Sequence, residues 1–152
     1  MDSECKVEHR PAQWTLSVRF RAATADLPLE LGRAYLSVGR YLGEIGAPPS
    51  GPAFASYHEL GRDGMEVEAG FAVDKAYPGN GEVHPGLLPE GEVATIVHTG
   101  PYQGITSAYE ALTSWVRGRG LEPAGPPCEL YLNDPSVTPA GELKTKLTLP
   151  VS

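Results

Sequence analysis

The chain is poor in the residues that carry several common chemistries. Only two cysteines occur, Cys5 in the N-terminal tail and Cys128 in a predicted strand, so no disulfide framework is expected. The four histidines, His9, His58, His84 and His98, show no ligand spacing with cysteine or carboxylates, and no metal site is expected. No apolar run approaches the roughly 18–20 residues that span a membrane. No apolar stretch follows the first methionine in the manner of a secretory signal. The expectation is a cytoplasmic protein with no membrane partner. The sequence also has no G-x-x-x-x-G-K-[ST] loop, no strand-linked G-x-G-x-x-G and no G-x-S-x-G elbow, which removes the phosphate loop, the dinucleotide fingerprint and the nucleophile turn. Basic residues are outnumbered, 12 Lys and Arg against 19 Asp and Glu, for a net charge of −7. Such a chain repels phosphate, so direct nucleic-acid binding is not expected, while a cationic ligand is suited.

What is present is the composition of one globular domain over residues 1–152. The hydrophobic fraction is 41% and the charged fraction 20%. The 18 glycines and 15 prolines fall between periodic segments and act as turn punctuation. Trp14–Ala22 alternates, with Leu16, Val18 and Phe20 on one side and Thr15, Ser17, Arg19 and Arg21 on the other, which predicts a half-buried strand. Asp26 is positioned to cap a helix with Pro28 in its first turn, and apolar residues recur at helical spacing from Leu27 to Ile45 until Gly46 and Pro48 end it. Pro52–Leu60 and Met65–Val73 read as a hairpin about Gly61-Arg62-Asp63-Gly64, and Ala76–Pro89 as a Gly/Pro connector. The second half repeats the order: a strand over Glu92–Thr99, a helix over Tyr102–Arg119, and strands over Pro127–Asn133 and Glu142–Leu149.

A shift of about 74 positions superimposes the halves. Leu31, Ala34, Tyr35, Val38, Tyr41 and Leu42 fall on Ile105, Ala108, Tyr109, Leu112, Trp115 and Val116; Gly46 falls on Gly120 and Tyr57 on Tyr131. The predicted fold is therefore α+β: a duplicated β-α-β-β repeat, about residues 12–75 and 90–151, with pseudo-twofold symmetry. Its antiparallel sheets should carry two helices on one face and a concave ligand groove on the other. Strand alternation then sends Cys128, Leu130 and Leu132 to the helices, and Glu129 and Tyr131 to the groove. Their repeat partners are Ala55 and Tyr57, so a single carboxylate distinguishes the two copies. The pattern alone leaves two readings of Glu129: the anchor of a pocket for an aromatic or cationic molecule, or a solvated strand residue. Trp115 and Tyr109 lie on the apolar helix face, where core packing is the default.

The second half, through Gly91-Glu92-Val93-Ala94, His98-Thr99-Gly100-Pro101-Tyr102, Trp115, Gly120-Leu121, Glu129-Leu130-Tyr131-Leu132-Asn133-Asp134-Pro135 and Leu149-Pro150-Val151, resembles the GyrI-like family of effector-binding domains. The first half does so through Gly51-Pro52-Ala53-Phe54-Ala55-Ser56-Tyr57-His58 and Glu68-Ala69-Gly70-Phe71-Ala72-Val73. The resemblance implies a site for lipophilic, often cationic, compounds, with the family's buried acidic residue on Glu129. Its aromatic walls carry over to Tyr131 and Tyr57, and Ala55, Phe71, Tyr102 and Trp115 complete the candidate lining. Relatives carry an aromatic residue near Thr148; a threonine there leaves a smaller, more polar wall. About ten residues precede the first predicted strand, so no DNA-binding module of the kind fused to many relatives is expected within the sequence. No histidine stands where a haem ligand would, and no cofactor is expected. Three functions follow from the resemblance: small-molecule binding for multidrug-type sensing or sequestration; hydrolysis of cyclopropane-bearing electrophiles, with Glu129 and Tyr131 catalytic; and protein interaction of the gyrase-inhibitor kind. The oligomeric state is left open.

Overall fold

In chain order the strands are β1 (Lys6–Arg10), β2 (Gln13–Ala22), β3 (Ala53–Gly61), β4 (Gly64–Ala72), β5 (His84–Leu88), β6 (Gly91–Thr99), β7 (Cys128–Tyr131) and β8 (Lys144–Pro150). Helix α1 covers Leu27–Ile45 and α2 covers Ile105–Gly118. The computed structural model describes residues 4–61, 64–134 and 136–152. Arg62 and Asp63 of the first predicted hairpin turn, and Pro135 of the later turn, lie outside the described residues. The chain divides into two units, Pro11–Pro89 and Glu90–Ser152, the latter joined by the segment ending at Arg10. Each pairs its strands in antiparallel fashion, in the order β3-β4-β2-β5 in the first and β1-β6-β8-β7 in the second. The architecture is α+β.

In each unit one helix packs on one sheet face. Leu16, Val18, Ala69 and Val73 meet Ala34, Val38, Tyr41 and Leu42 of α1. Ala94, Ile96, Leu147 and Leu149 meet Ala108, Leu112 and Val116 of α2. The buried helix positions Ala34, Val38 and Leu42 are those that the repeat aligns with Ala108, Leu112 and Val116. Pro28 stands in the first turn of α1, as expected, but Asp26 makes no side-chain cap. A 3-10 turn over Thr24–Asp26 precedes the helix and already holds Asp26 in helical geometry, which removes the extended conformation a capping side chain needs. Gly46 closes α1 at φ +69°, and the Ala47 amide donates to the Leu42 carbonyl at 2.9 Å, a left-handed glycine cap. The second predicted helix begins as a 3-10 turn over Tyr102–Gly104 and becomes α-helical at Ile105.

Each unit has four strands where the β-α-β-β repeat predicts three. The additions, β1 and β5, are five-residue edge strands in segments read as tail and connector. Both are largely exposed and neither alternates clearly. Pro85 in β5 is tolerated because an edge strand need not donate every amide. These strands also explain a second departure. Thr15 and Ser17 of β2 were expected on a solvated face but are buried. Thr15 lies opposite Gly86 of β5, and the Ser17 hydroxyl donates to Glu68 at 2.7 Å.

Strand β2 approaches β4 most tightly at Gly70. A Cβ there would overlap the Leu16 carbonyl oxygen and stand 2.7 Å from Ser17 Cα. Gly32, inside α1, has open space where a Cβ would go. Gly70→Ala is expected to lower unfolding free energy by about 2 kcal/mol or more. Gly32→Ala should raise it by roughly 0.5–1 kcal/mol through helix propensity. Urea unfolding of the two variants beside the parent checks both signs.

Candidate functional site

Strand β7 is short and sits beside β8, and its register decides where the candidate glutamate points. Glu129 pairs with Leu147, Tyr131 with Thr145, and Cys128 with Thr148. Directly paired residues share a sheet face, and Leu147 belongs to the core under α2. Glu129 and Tyr131 therefore face the helix side of the sheet, not a groove on the opposite side, which corrects the sequence-based assignment. The alternation Cys-Glu-Leu-Tyr could not decide this, because both faces are buried here: Cys128 is covered as fully as its neighbour, and Thr148 on its face is buried too.

Facing α2, Glu129 is only 7% exposed, which excludes the solvated-strand reading. Its two carboxylate oxygens accept from two tyrosines. The Tyr109 hydroxyl, carried by α2, donates to Oε2 at 2.5 Å, and the Tyr131 hydroxyl, from the same strand, donates to Oε1 at 2.6 Å. Such short contacts are typical of hydroxyls bonded to an ionised carboxylate, and hydrogen bonds to charged groups contribute about 1.5–3 kcal/mol each. Tyr102 packs edge-on against Tyr131, with ring centres 5.7 Å apart, and stays 37% exposed. The turn bearing Tyr102 is tied to the end of β6 by His98, whose Nε2 lies 2.9 Å from the Pro101 carbonyl oxygen. Burial, and then the negative charge of Glu129, push the Tyr102 hydroxyl pKa above the ordinary tyrosine value.

The remaining sequence candidates sort differently. Ala55, Tyr57 and Phe71 belong to the first unit, where Ala55 and Tyr57 pair with Ala69 and Val67 and are buried on the α1 side of their sheet. Phe71 stacks edge-on with Tyr35 at 5.8 Å. Trp115 packs against the Ile96–Leu112 core and carries the Arg119 guanidinium over its ring at 4.6 Å, the contacts of a helix-packing residue. Thr148 is not a wall of the Glu129 site. It lies on the other face, where its hydroxyl donates to the Cys128 carbonyl at 3.2 Å.

Sequence reasoning missed the role of Tyr109, assigning it to core packing. The signal was available: the repeat puts a tyrosine, not a phenylalanine, at this partly buried, core-flanking position in both helices, and a phenol packed against a core needs a partner. In the first unit Tyr35 donates to the Phe54 backbone carbonyl at 2.9 Å, because its repeat partner for Glu129 is Ala55. In the second, the same helix position reaches a carboxylate.

The chain belongs to the GyrI-like small molecule binding domain family, which it matches over residues 4–152. No curated protein matches it. Among solved structures, the EcmrR C-terminal domain superposes with a TM-score of 0.88 at 23% identity, covering 100% of this chain and 99% of that one. In the EcmrR–DNA complex the chain spans 58% of the EcmrR polypeptide. A hydrolase from Listeria innocua is similar at TM-score 0.72 and 15% identity, covering 98% and 92% of the two chains. SAV2435, solved with tetraphenylphosphonium bound, is similar at TM-score 0.71 and 12% identity, covering 98% and 94%. At these identities the likenesses carry the fold.

The raised Tyr102 pKa has a definite sign in stability. An unfolded tyrosine ionises near pH ~10, whereas folded Tyr102 holds its proton to higher pH. Its contribution is thus fully present below about pH 10 and is lost as pH climbs through the folded value. In Glu129→Gln the Tyr102 pKa should fall toward the ordinary value while staying above it, since burial remains. Following the Tyr102 ring by NMR through an alkaline titration measures the change.

Proposed function

We propose that this protein binds lipophilic, cationic aromatic compounds, for sensing or sequestration, with Glu129 as the polar anchor and the rings of Tyr102, Tyr109 and Tyr131 around it. The observation that carries the reading is a carboxylate held out of water inside a tyrosine cluster. Coulomb attraction scales inversely with the effective dielectric, so a buried carboxylate attracts a cation more strongly than an exposed one. Tyrosine faces add cation–π attraction, about 0.5–2 kcal/mol per contact. A small hydrated cation would lose this gain to desolvation. A bulky cation with its charge spread among apolar groups loses much less, which selects for lipophilic ones. The tetraphenylphosphonium bound by SAV2435 has this chemistry. The net charge of −7 favours approach of any cation.

Hydrolysis of a reactive electrophile is the second reading, favoured by the likeness to the Listeria innocua hydrolase and by a tyrosine hydroxyl 2.6 Å from the carboxylate. A general base must take a proton from water. Here each carboxylate oxygen already accepts from a tyrosine, an arrangement better suited to holding charge than to collecting protons. Binding is therefore placed first.

Tetraphenylphosphonium and tetraphenylborate, alike in size and opposite in charge, test the proposal by calorimetric titration. The parent should bind the phosphonium and reject the borate, and Glu129→Gln should weaken phosphonium binding about 10-fold or more. Equal phosphonium affinity in parent and variant would overturn the anchoring role. Turnover of a cyclopropane-bearing alkylating compound, abolished in the same variant, would move the assignment to the hydrolase.

A further inference from the structure

Thr145, in β8, is fully buried, and its hydroxyl oxygen has no hydrogen-bond partner. Among the described residues it is the buried side-chain polar atom left in this state. Three other buried hydroxyls are paired: Thr148 donates to Cys128, Ser17 to Glu68 and Thr95 to Glu8. A valine would fill the same volume without an unmet polar group, so the hydroxyl is a cost to folding unless something else uses it.

Its position says what could use it. Thr145 is the direct cross-strand partner of Tyr131 on one side and of His98 on the other. It shares the α2-facing side of the sheet with Tyr131 and Glu129 and stands one pleat row from the Leu147–Glu129 pair. Direct partners have Cβ atoms about 4.5–5.5 Å apart and diagonal neighbours about 7–8 Å. A carboxylate and an unsatisfied hydroxyl on one face, flanked by tyrosines, present acceptors for a donor-bearing cation.

We propose that Thr145 is a binding residue of the Glu129 site, and that the site takes a protonated aromatic amine whose N–H is accepted by the Thr145 hydroxyl, in preference to cations that carry no donor. This rests on the small-molecule reading of Glu129 and deepens it. Phosphonium and quaternary ammonium ions meet the carboxylate by charge alone and leave Thr145 unpaired. An ammonium bearing a hydrogen adds the missing partner. The hydroxyl thereby turns a site for lipophilic cations in general into one selective for amines that can be protonated.

The test is a matched pair at neutral pH: N,N-dimethyl-1-naphthylmethylamine, protonated, and its N-methylated quaternary salt, with tetraphenylphosphonium as the donor-free reference. Calorimetric titration should show the parent binding the amine about 10-fold more tightly than the quaternary salt. Thr145→Val should abolish that preference while keeping its affinity for the quaternary salt, and should melt no lower than the parent because it removes an unpaired hydroxyl. Thr145→Ser should keep the preference. A parent that binds tetraphenylphosphonium but takes the amine no more tightly than its quaternary salt overturns the role of Thr145 and leaves the Glu129 reading standing. So does a Thr145→Val variant that retains the full preference. A parent that binds none of the three cations overturns both.

Discussion

The second unit is organised around one carboxylate that cannot be left alone. Glu129 is buried under α2, and burying a charge without partners is among the most costly things a fold can do. Its partners come from different elements: Tyr109 from the helix, Tyr131 from its own strand. Meeting that demand sets the helix over the sheet at a definite height and rotation, because the Tyr109 hydroxyl reaches the carboxylate only when Ala108, Leu112 and Val116 are seated on Ile96 and Leu147. Apolar packing alone tolerates sliding, whereas a short hydrogen bond to a buried anion does not. The same pair of bonds fixes both carboxylate oxygens in place.

Comparison of the two units shows how little must change to place a carboxylate beneath the helix. Both helices carry a tyrosine at the equivalent position, and both sheets bury the residue beneath it. With alanine at residue 55, the tyrosine turns to a backbone carbonyl and the unit remains an apolar scaffold. With glutamate at residue 129, the same phenol becomes a donor to a charge. One side chain separates an apolar core from a buried, hydrogen-bonded carboxylate.

Much of this was legible in the residues. Helical spacing of Ala34, Val38 and Leu42 and of their repeat partners placed both helices and their buried faces, because a one-sided core leaves a 3.6-residue signature. Glu129 stood out because the repeat offered an internal control. The face it points to was not legible: a two-sided strand of four residues has no polar side to mark solvent. The edge strands β1 and β5 were hidden for the opposite reason, since they bury too little to need a pattern. Thr145 escaped notice because a threonine among Lys-Thr-Lys-Leu-Thr-Leu reads as an ordinary strand residue. Its missing partner is a property of three dimensions.

Strand β1 has a consequence for synthesis. The segment Pro11–Pro89 is contiguous and contains β2, β3, β4, β5 and α1, so these elements are all made once Leu88 is made. Strand β1 is different. Lys6–Arg10 pairs with residues from Gly91 to Thr95, so its amides and carbonyls have no strand partner until that distant stretch follows. During synthesis β1 thus waits without its strand partner while the first unit is made behind it. The composition of that edge, Lys-Val-Glu-His-Arg, alternates charge of both signs with a single apolar residue. Charged edges resist pairing with other chains. The β1–β6 pairing of the second unit is therefore made by a segment whose sequence keeps it solvated while it waits.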